Sequence, residues 1–200
     1  MNVARPSVQT RLTQIAEKVL AHEPLIAERD GTYFEAAVAL VLRGTRDDEL
    51  ELLFIKRAAR ADDPWSGQIA FPGGRRDPVD HTLEETAVRE TREEVGLDLR
   101  EHGTIIGAID EVRPRISVLP PVIVRPFVAL ISGDPVVGIS DEVAGSFWVP
   151  LDAVLDPAAS RVTAIDVRGA RTMRPAIHFE GNVIWGMTEN ILRRFAEIIA

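Results

Sequence analysis

A helix with two well-marked ends lies near the middle of this 200-residue chain. Thr82 followed three residues later by Glu85 has the form of a capping box, and Gly96 suits the left-handed position that closes a helix. The spacing therefore predicts a helix over 83–95. Glu90, Glu93 and Glu94 stand at i, i+3 and i+4, so three carboxylates project from one face, while Ala87, Thr91 and Val95 can pack inward from another. Carboxylates at that spacing lie about 5–6 Å apart and repel by a few tenths of a kcal/mol per pair. Hard divalent cations neutralise such a cluster, and Mg²⁺ is typically held by few carboxylates together with substrate phosphates. Taken alone, the same residues also fit a solvated helix face with Arg89 and Arg92 as ion-pair partners. The surroundings favour the cation: Gly73-Gly74 makes a sharp turn before the helix, where the missing side chains let backbone approach a ligand and offer a carbonyl oxygen.

The rest of the chain reads as one mixed domain. A helical pattern with Leu12, Ile15, Ala16, Val19 and Leu20 on one face follows Ser7 and ends before Pro24. Apolar runs at 34–42 and 50–55 read as paired strands turned at Asp47-Asp48. Residues 58–67 form a loop, and 68–71 a short extended segment stopped by Pro72-Gly73-Gly74. Strand-like stretches at 104–109, 121–131, 146–149 and 162–167 precede a last helix from 187 to 199. The expected class is α+β, with residues 1–30 as an N-terminal helical extension and 31–200 as the main domain.

Composition narrows the function classes. A chain of 22.0 kDa can bury roughly 70% of its unfolded surface, so it needs no disulfide or structural metal merely to fold. It has no cysteine, which removes thiolate metal sites and cysteine nucleophiles together. Its charge of −8, from 31 acidic against 23 basic residues, disfavours a nucleic-acid backbone footprint. No apolar run approaches the roughly 20 residues of a membrane helix, and residues 1–30 have no signal-peptide core, so a cytoplasmic protein with no membrane partner is expected. The four histidines show no ligand spacing, and Ser66 and Ser117 have no recognisable base partner. Two glutamates on one helix face cannot oppose each other across a sugar, which removes a glycoside hydrolase.

The run Arg89-Glu90-Thr91-Arg92-Glu93-Glu94-Val95-Gly96-Leu97, with Gly74 upstream, resembles the Nudix box, G-x5-E-x7-R-E-U-x-E-E-x-G-U, where U is a bulky apolar residue. Thr91 stands at the first U. The interval from Gly74 to Arg89 is one residue longer than the general form and lacks the first glutamate, Asp80 being the nearest acid. The segment Ser66–Gly74, the spacing of Asp77 and Asp80, and the later stretches Phe147–Leu151 and Ile184–Thr188 are similar to the coenzyme A pyrophosphatase branch, which shares the longer box. The resemblance implies an α/β/α sandwich with a mixed sheet and a loop–helix–loop box. It also implies hydrolysis of a diphosphate linkage in a nucleoside diphosphate derivative with Mg²⁺ or Mn²⁺. Coenzyme A or its esters would yield 3′,5′-ADP and 4′-phosphopantetheine. ADP-ribose, nucleotide sugars and dinucleotides are the alternative substrates, and a non-catalytic nucleotide-sensing domain is the alternative of another class.

By the same resemblance, Glu90 and Glu94 match the principal metal ligands, Glu93 a further ligand, Gly74 the glycine whose carbonyl faces metal, and Arg89 the arginine that holds a helix glutamate. The general base differs between branches, so Glu93 and Glu142 both stand as candidates, Glu142 being equally readable as a turn acid in water. Trp65 could stack on an adenine or pack on its own domain. Arg57, Arg60 and Arg75 could meet phosphates, and a 3′-phosphate contact is expected from among Lys56, Arg57 and Arg60. Arg113 and Arg115 could reach a substrate's far end. The expected partner is a small nucleotide substrate, with a homodimer left open.

Overall fold

The computed structural model describes residues 6–60, 65–114, 121–167 and 170–200. Arg115 and Ser117 lie outside them. Strand β1 (Phe34–Gly44) is the spine. On one side it pairs in parallel with β6 (Val122–Ile131) over its whole length, and β6 pairs antiparallel with β5 (Gly103–Ala108). On the other side β1 meets β2 (Leu50–Arg57) only at Leu42–Gly44. Toward their opposite ends the two strands part. Strand β3 (Ile69–Ala70) completes β2 there, and β4 (Gly73–Arg75) completes β1. The sheet is thus split where Pro72 and the two glycines turn, and that split holds the site. Strand β7 (Val143–Pro150) covers the free edge of β2 with a bulge at Ala144.

Period-two alternation divides the apolar residues of β1 and β2 between two layers. Leu40, Leu42, Leu52 and Phe54 face one core, where helices α1 (Val8–Ala21) and α5 (Met187–Ile199) add Ile15, Val19, Ile191, Leu192 and Phe195. Ala37, Ala39, Val41, Leu53 and Ile55 face the other, where α2 (Leu83–Val95) and α3 (Leu99–His102) add Leu83, Ala87, Val95 and Leu99. The small residues on β1 let α2 lie close. Helices on both faces of a mixed sheet make the α/β/α sandwich that the resemblance implied.

Several strands run longer than the sequence pattern suggests, because ladder pairing carries polar residues such as Arg43 and Lys56 along with their neighbours. Three strands escaped it: β4, where the pattern reads a turn, and two near the end of the chain. Strands β8 (Ser160–Val167), β9 (Ala170–Phe179) and β10 (Asn182–Trp185) form a separate antiparallel sheet, preceded by the short helix α4 (Leu151–Leu155) and a 3-10 turn at Pro157–Ala159. Arg171, Arg174 and Pro175 break the apolar alternation in β9.

The segment after α1 is fixed by two buried acids at the end of β5. Asp110 accepts from His22 (2.7 Å), the Leu25 amide (2.9 Å) and Arg194 (3.1 Å). Glu111 accepts from the Ala27 amide (2.8 Å), Arg29 and Arg125. Burial pushes the Glu111 carboxyl up, but Arg29, the Ala27 amide and Arg125 outweigh it and hold it at about 2. Arg113 is likewise engaged, with the Glu28 carbonyl and Asp30.

Candidate active site

Local chemistry builds the helix that carries the acids. Thr82 accepts from the Glu85 amide (3.1 Å), and Glu85 reaches back to the His81 amide (2.7 Å), so the exposed amides at the helix start are paired. Gly96 closes the helix at φ 70°, its amide donating to the Arg92 carbonyl. Thr91 turns its hydroxyl onto the Ala87 carbonyl (2.7 Å), which lets a polar residue fill the apolar position of the box.

Both glycines of the turn sit in close contact, Gly73 against backbone and Gly74 against the end of a side chain. A Cβ on Gly73 would stand 2.2 Å from the Ala37 carbonyl oxygen, inside the ladder with β1. One on Gly74 would stand 2.4 Å from the Glu90 carboxyl carbon. Glycine here brings backbone against a carboxylate, leaving no side chain between them.

Glu94 is buried, and its Oε2 accepts from the Gly73 amide at 2.9 Å, while Arg57 Nη1 stands 3.8 Å from its Oε1. Burial pushes this carboxyl up to about 7 against the pull of the Gly73 amide and Arg57, with Glu90 and Glu142 adding repulsion. Burial also raises Glu90, although Arg89 opposes it with a 2.8 Å hydrogen bond. Two carboxylates that ionise reluctantly thus stand beside each other, chiefly because burial strips them of water.

Arg89 is locked from behind. Its Nε and Nη2 donate to the two oxygens of buried Asp80 (3.1 and 2.8 Å), Nη2 also to the Arg75 carbonyl (3.1 Å), and Nη1 to Glu90 and Glu93. The Arg89 hydrogen bonds, with help from the Asp77 amide and Thr86, hold the Asp80 carboxyl well below the usual carboxylate range despite its burial.

A cavity of about 650 Å³ opens over these groups, in the split of the sheet. Glu90, Glu94, Gly74, Glu142, Arg57, Arg60, Arg75 and Trp65 all line it, so the structure brings together nearly every expected site residue. Arg89, behind Glu90, and Glu93 are the exceptions. The half-exposed Glu93 side chain leans on Arg89 (3.0 Å) and lies off the cavity wall. Glu142 stands at the mouth because its loop is docked on the end of α2, through the Gly138 amide to Val95 (2.9 Å) and the Ser140 amide to Glu94 (3.0 Å). Arg60 pairs with it at 3.1 Å. Trp65 packs against the main core, as one reading of it expects, and it also lines the cavity. Arg75 lays its guanidinium 4.0 Å over the Phe34 ring. Lys56 is outside the cavity: it alternates with Arg57 along β2 and points to the opposite face. Gln68, Phe71, Met187, Thr188 and Ile191 also line the site. Only their place within similar segments hinted at the first four, and nothing hinted at Ile191.

Among the described residues no three acidic or histidine side chains form a ready metal cage. Glu93 is taken up by Arg89 and Glu142 by Arg60. The donor set still suits a hard cation that completes its shell with substrate oxygens: two crowded carboxylates, Glu94 buried and Glu90 partly buried, the latter close against the Gly74 backbone.

The model of the NUDIX domain matches residues 33–166, two thirds of the chain. The chain belongs to the Nudix family. Within it, an uncharacterized Nudix hydrolase, NudL, of Yersinia pestis is 33% identical over 151 residues, covering 74% of this chain and 72% of that protein. An uncharacterized protein of Schizosaccharomyces pombe is 36% identical over 127 residues, 62% of this chain; the match spans only 38% of that longer protein. Solved structures share the Nudix fold at low identity. An Ap4A hydrolase of Caenorhabditis elegans aligns with a TM-score of 0.56 at 17% identity over 83% of this chain and 97% of its own. A MutT/nudix family protein of Enterococcus faecalis aligns at 0.57 and 18%, over 97% and 70%. This Nudix chain is a hydrolase of diphosphate linkages by family. Among its described residues no helix is long and apolar enough to cross a membrane.

Proposed function

We propose that this Nudix hydrolase cleaves the diphosphate of coenzyme A or a coenzyme A ester, releasing 3′,5′-ADP and 4′-phosphopantetheine, with residues 31–200 as the catalytic domain and 1–30 as a helical extension. The observation that carries the reaction class is a pair of carboxylates, buried Glu94 and partly buried Glu90, the latter set against Gly74, in a cavity with Glu142 at its mouth. Substrate choice rests on the similarity of Ser66–Gly74 and the longer box to the coenzyme A branch, together with two arginines, Arg57 and Arg60, in the cavity wall.

Glu90, Glu94 and the Gly74 carbonyl would hold Mg²⁺ or Mn²⁺, with Glu93 joining only if it turns away from Arg89. Bound there, the ion supplies charge neutralisation for the diphosphate and lowers the pKa of water. The chain's own residues do the rest. Asp80 fixes Arg89, and Arg89 fixes Glu90, so one carboxylate is held in place before substrate arrives. Arg57 and Arg60 meet phosphate oxygens as negative charge spreads over them, and give up Glu94 and Glu142 in doing so. Glu142, released from Arg60, accepts the proton of the attacking water while the bridging P–O bond breaks. Glu93 takes that role only by leaving Arg89.

Turnover of coenzyme A, ADP-ribose, NADH and nucleotide sugars with Mg²⁺ or Mn²⁺ tests the reading. It stands if coenzyme A has the highest kcat/KM and EDTA abolishes turnover. It falls if another compound is preferred or if activity survives chelation.

A further inference from the structure

Beside the site cavity lies a second cleft of about 430 Å³, walled by β2, the turn before β3, β8 and β10. Lys56, Gln68, Asp166, Asn182, Val183 and Trp185 are among its lining residues. Gln68 lines both spaces, so the cleft begins where the site cavity ends.

Strand alternation explains how one strand serves both. Arg57 lines the cavity and Lys56, its neighbour on β2, lines the cleft. On β10, Ile184 is buried in the core, which turns Val183 and Trp185 to the opposite face. The contact that makes the wall is local: β10 lies along β3, and Thr188, just after it, donates to the Ile69 carbonyl at 3.0 Å.

The chemistry of the wall is mixed. Lys56 brings a positive charge and Asp166, which has an interaction of its own, a negative one, so the two formal charges in the wall sum to zero. Gln68 and Asn182 can each donate and accept, and Val183 and Trp185 offer apolar surface. Arg57, Arg60 and Arg75 are engaged with Glu94, Glu142 and Phe34. Lys56, by contrast, makes no ion pair or side-chain hydrogen bond among the described residues. Its ammonium is a donor with room in front of it.

We propose that this cleft is the subsite for the arm carried on the far phosphate of the substrate, and that it takes a neutral arm rich in hydroxyl or amide groups. A polyanion would meet Asp166, and a wholly apolar chain would strip water from Lys56, Gln68 and Asn182 without replacing their hydrogen bonds. The placement rests on the diphosphatase reading, but occupancy of the cleft does not need turnover.

The test uses full-length protein in EDTA and two free arms, pantetheine and methyl riboside, with ligand-observed NMR as the readout. AMP serves as control for the site cavity. At least one arm should bind the wild type. Filling the cleft with Val183→Trp should weaken that arm roughly tenfold, and Lys56→Ala, on an exposed position, roughly threefold, both leaving AMP within about twofold. Preference for pantetheine or for the riboside decides between an amide chain and a sugar. Failure of both arms to bind, or equal binding in wild type and Lys56→Ala, overturns the subsite. If Val183→Trp also loses AMP, its fold is damaged and Lys56→Ala decides alone. An arm that binds in this way to a protein that cleaves no diphosphate leaves the subsite standing and removes the proposed activity.

Discussion

Arg89 grips Asp80 with two donors, Nε at 3.1 Å and Nη2 at 2.8 Å, and extends its remaining donor to Glu90 and Glu93. One guanidinium therefore links the loop before the helix to the acids on it. The glutamate absent from the box has its counterpart here: Asp80 supplies a buried acid behind Arg89, and Thr86 and the Asp77 amide satisfy its other bonds.

Removing that acid leaves Arg89 Nε without its partner and Nη2 with only the Arg75 carbonyl, while Glu90 and Glu93 still face the charge. Asp80→Ala should cost about 3 kcal/mol, the low end for breaking a buried pair. Urea denaturation measures it. Turnover should fall as well, through kcat more than KM, because Glu90 loses its support. A variant with wild-type stability and rate would show that Arg89 needs no anchor.

Glu94→Gln should keep the fold and lower kcat by roughly a thousandfold or more. Metal-free stability gives the opposite sign. The Glu94 carboxyl ionises at about 7 in the folded chain and near 4.5 when unfolded, so over that range the unfolded state holds fewer protons and stability falls as pH rises. Glu94→Gln escapes this loss. In EDTA it should be the more stable protein at pH 7, by about 3 kcal/mol at most, with the difference vanishing near pH 4.5. A variant less stable than wild type at pH 7 would contradict the crowded-carboxylate account.

The fold and the site differed in how far they could be read from residues alone. The box helix was legible to both ends, because Thr82, Glu85 and Gly96 act within a few residues of sequence. Strand β9 was not, since Arg174 and Pro175 obscure a pattern that only pairing with β8 and β10 establishes. In the site, the helix acids follow from spacing. Glu93 leans on Arg89 as an i,i+4 pair within the helix, but that Glu142 swings in from a distant loop depends on hydrogen bonds between that loop and the end of α2, which no local pattern records.

Glu142→Gln separates the two base candidates. If Glu142 takes the proton, kcat should fall by roughly a hundredfold with KM little changed, and the rise of rate with pH should flatten. An unaltered pH–rate profile and kcat would return the role to Glu93.

Acid should loosen the N-terminal segment through Glu111. Its carboxyl sits at about 2 in the folded chain against about 4.5 unfolded, so its stabilisation is complete above the unfolded value and lost as pH falls through about 2. Denaturation between pH 5 and 2 should show wild type losing stability that Glu111→Gln has already lost. Parallel curves for the two proteins would remove Glu111 as the cause.

A site that holds a 3′-phosphate should hold it with arginine, because a desolvated dianion without a partner is heavily penalised. Arg57 and Arg60 line the cavity, and Lys56 does not. Dephospho-coenzyme A should be cleaved roughly tenfold less efficiently than coenzyme A, and the alanine variant of whichever of Arg57 and Arg60 meets the 3′-phosphate rather than the diphosphate should erase the gap. Equal kcat/KM for the two compounds in the wild type would point to a general nucleoside-diphosphate hydrolase.

The most direct test is to incubate wild type and Glu94→Gln with coenzyme A and Mg²⁺ or Mn²⁺ and to separate the products by chromatography. The account predicts 3′,5′-ADP and 4′-phosphopantetheine in equal amounts from the wild type and essentially none from Glu94→Gln. Intact coenzyme A with the wild type, or the same products at the same rate from Glu94→Gln, would contradict it.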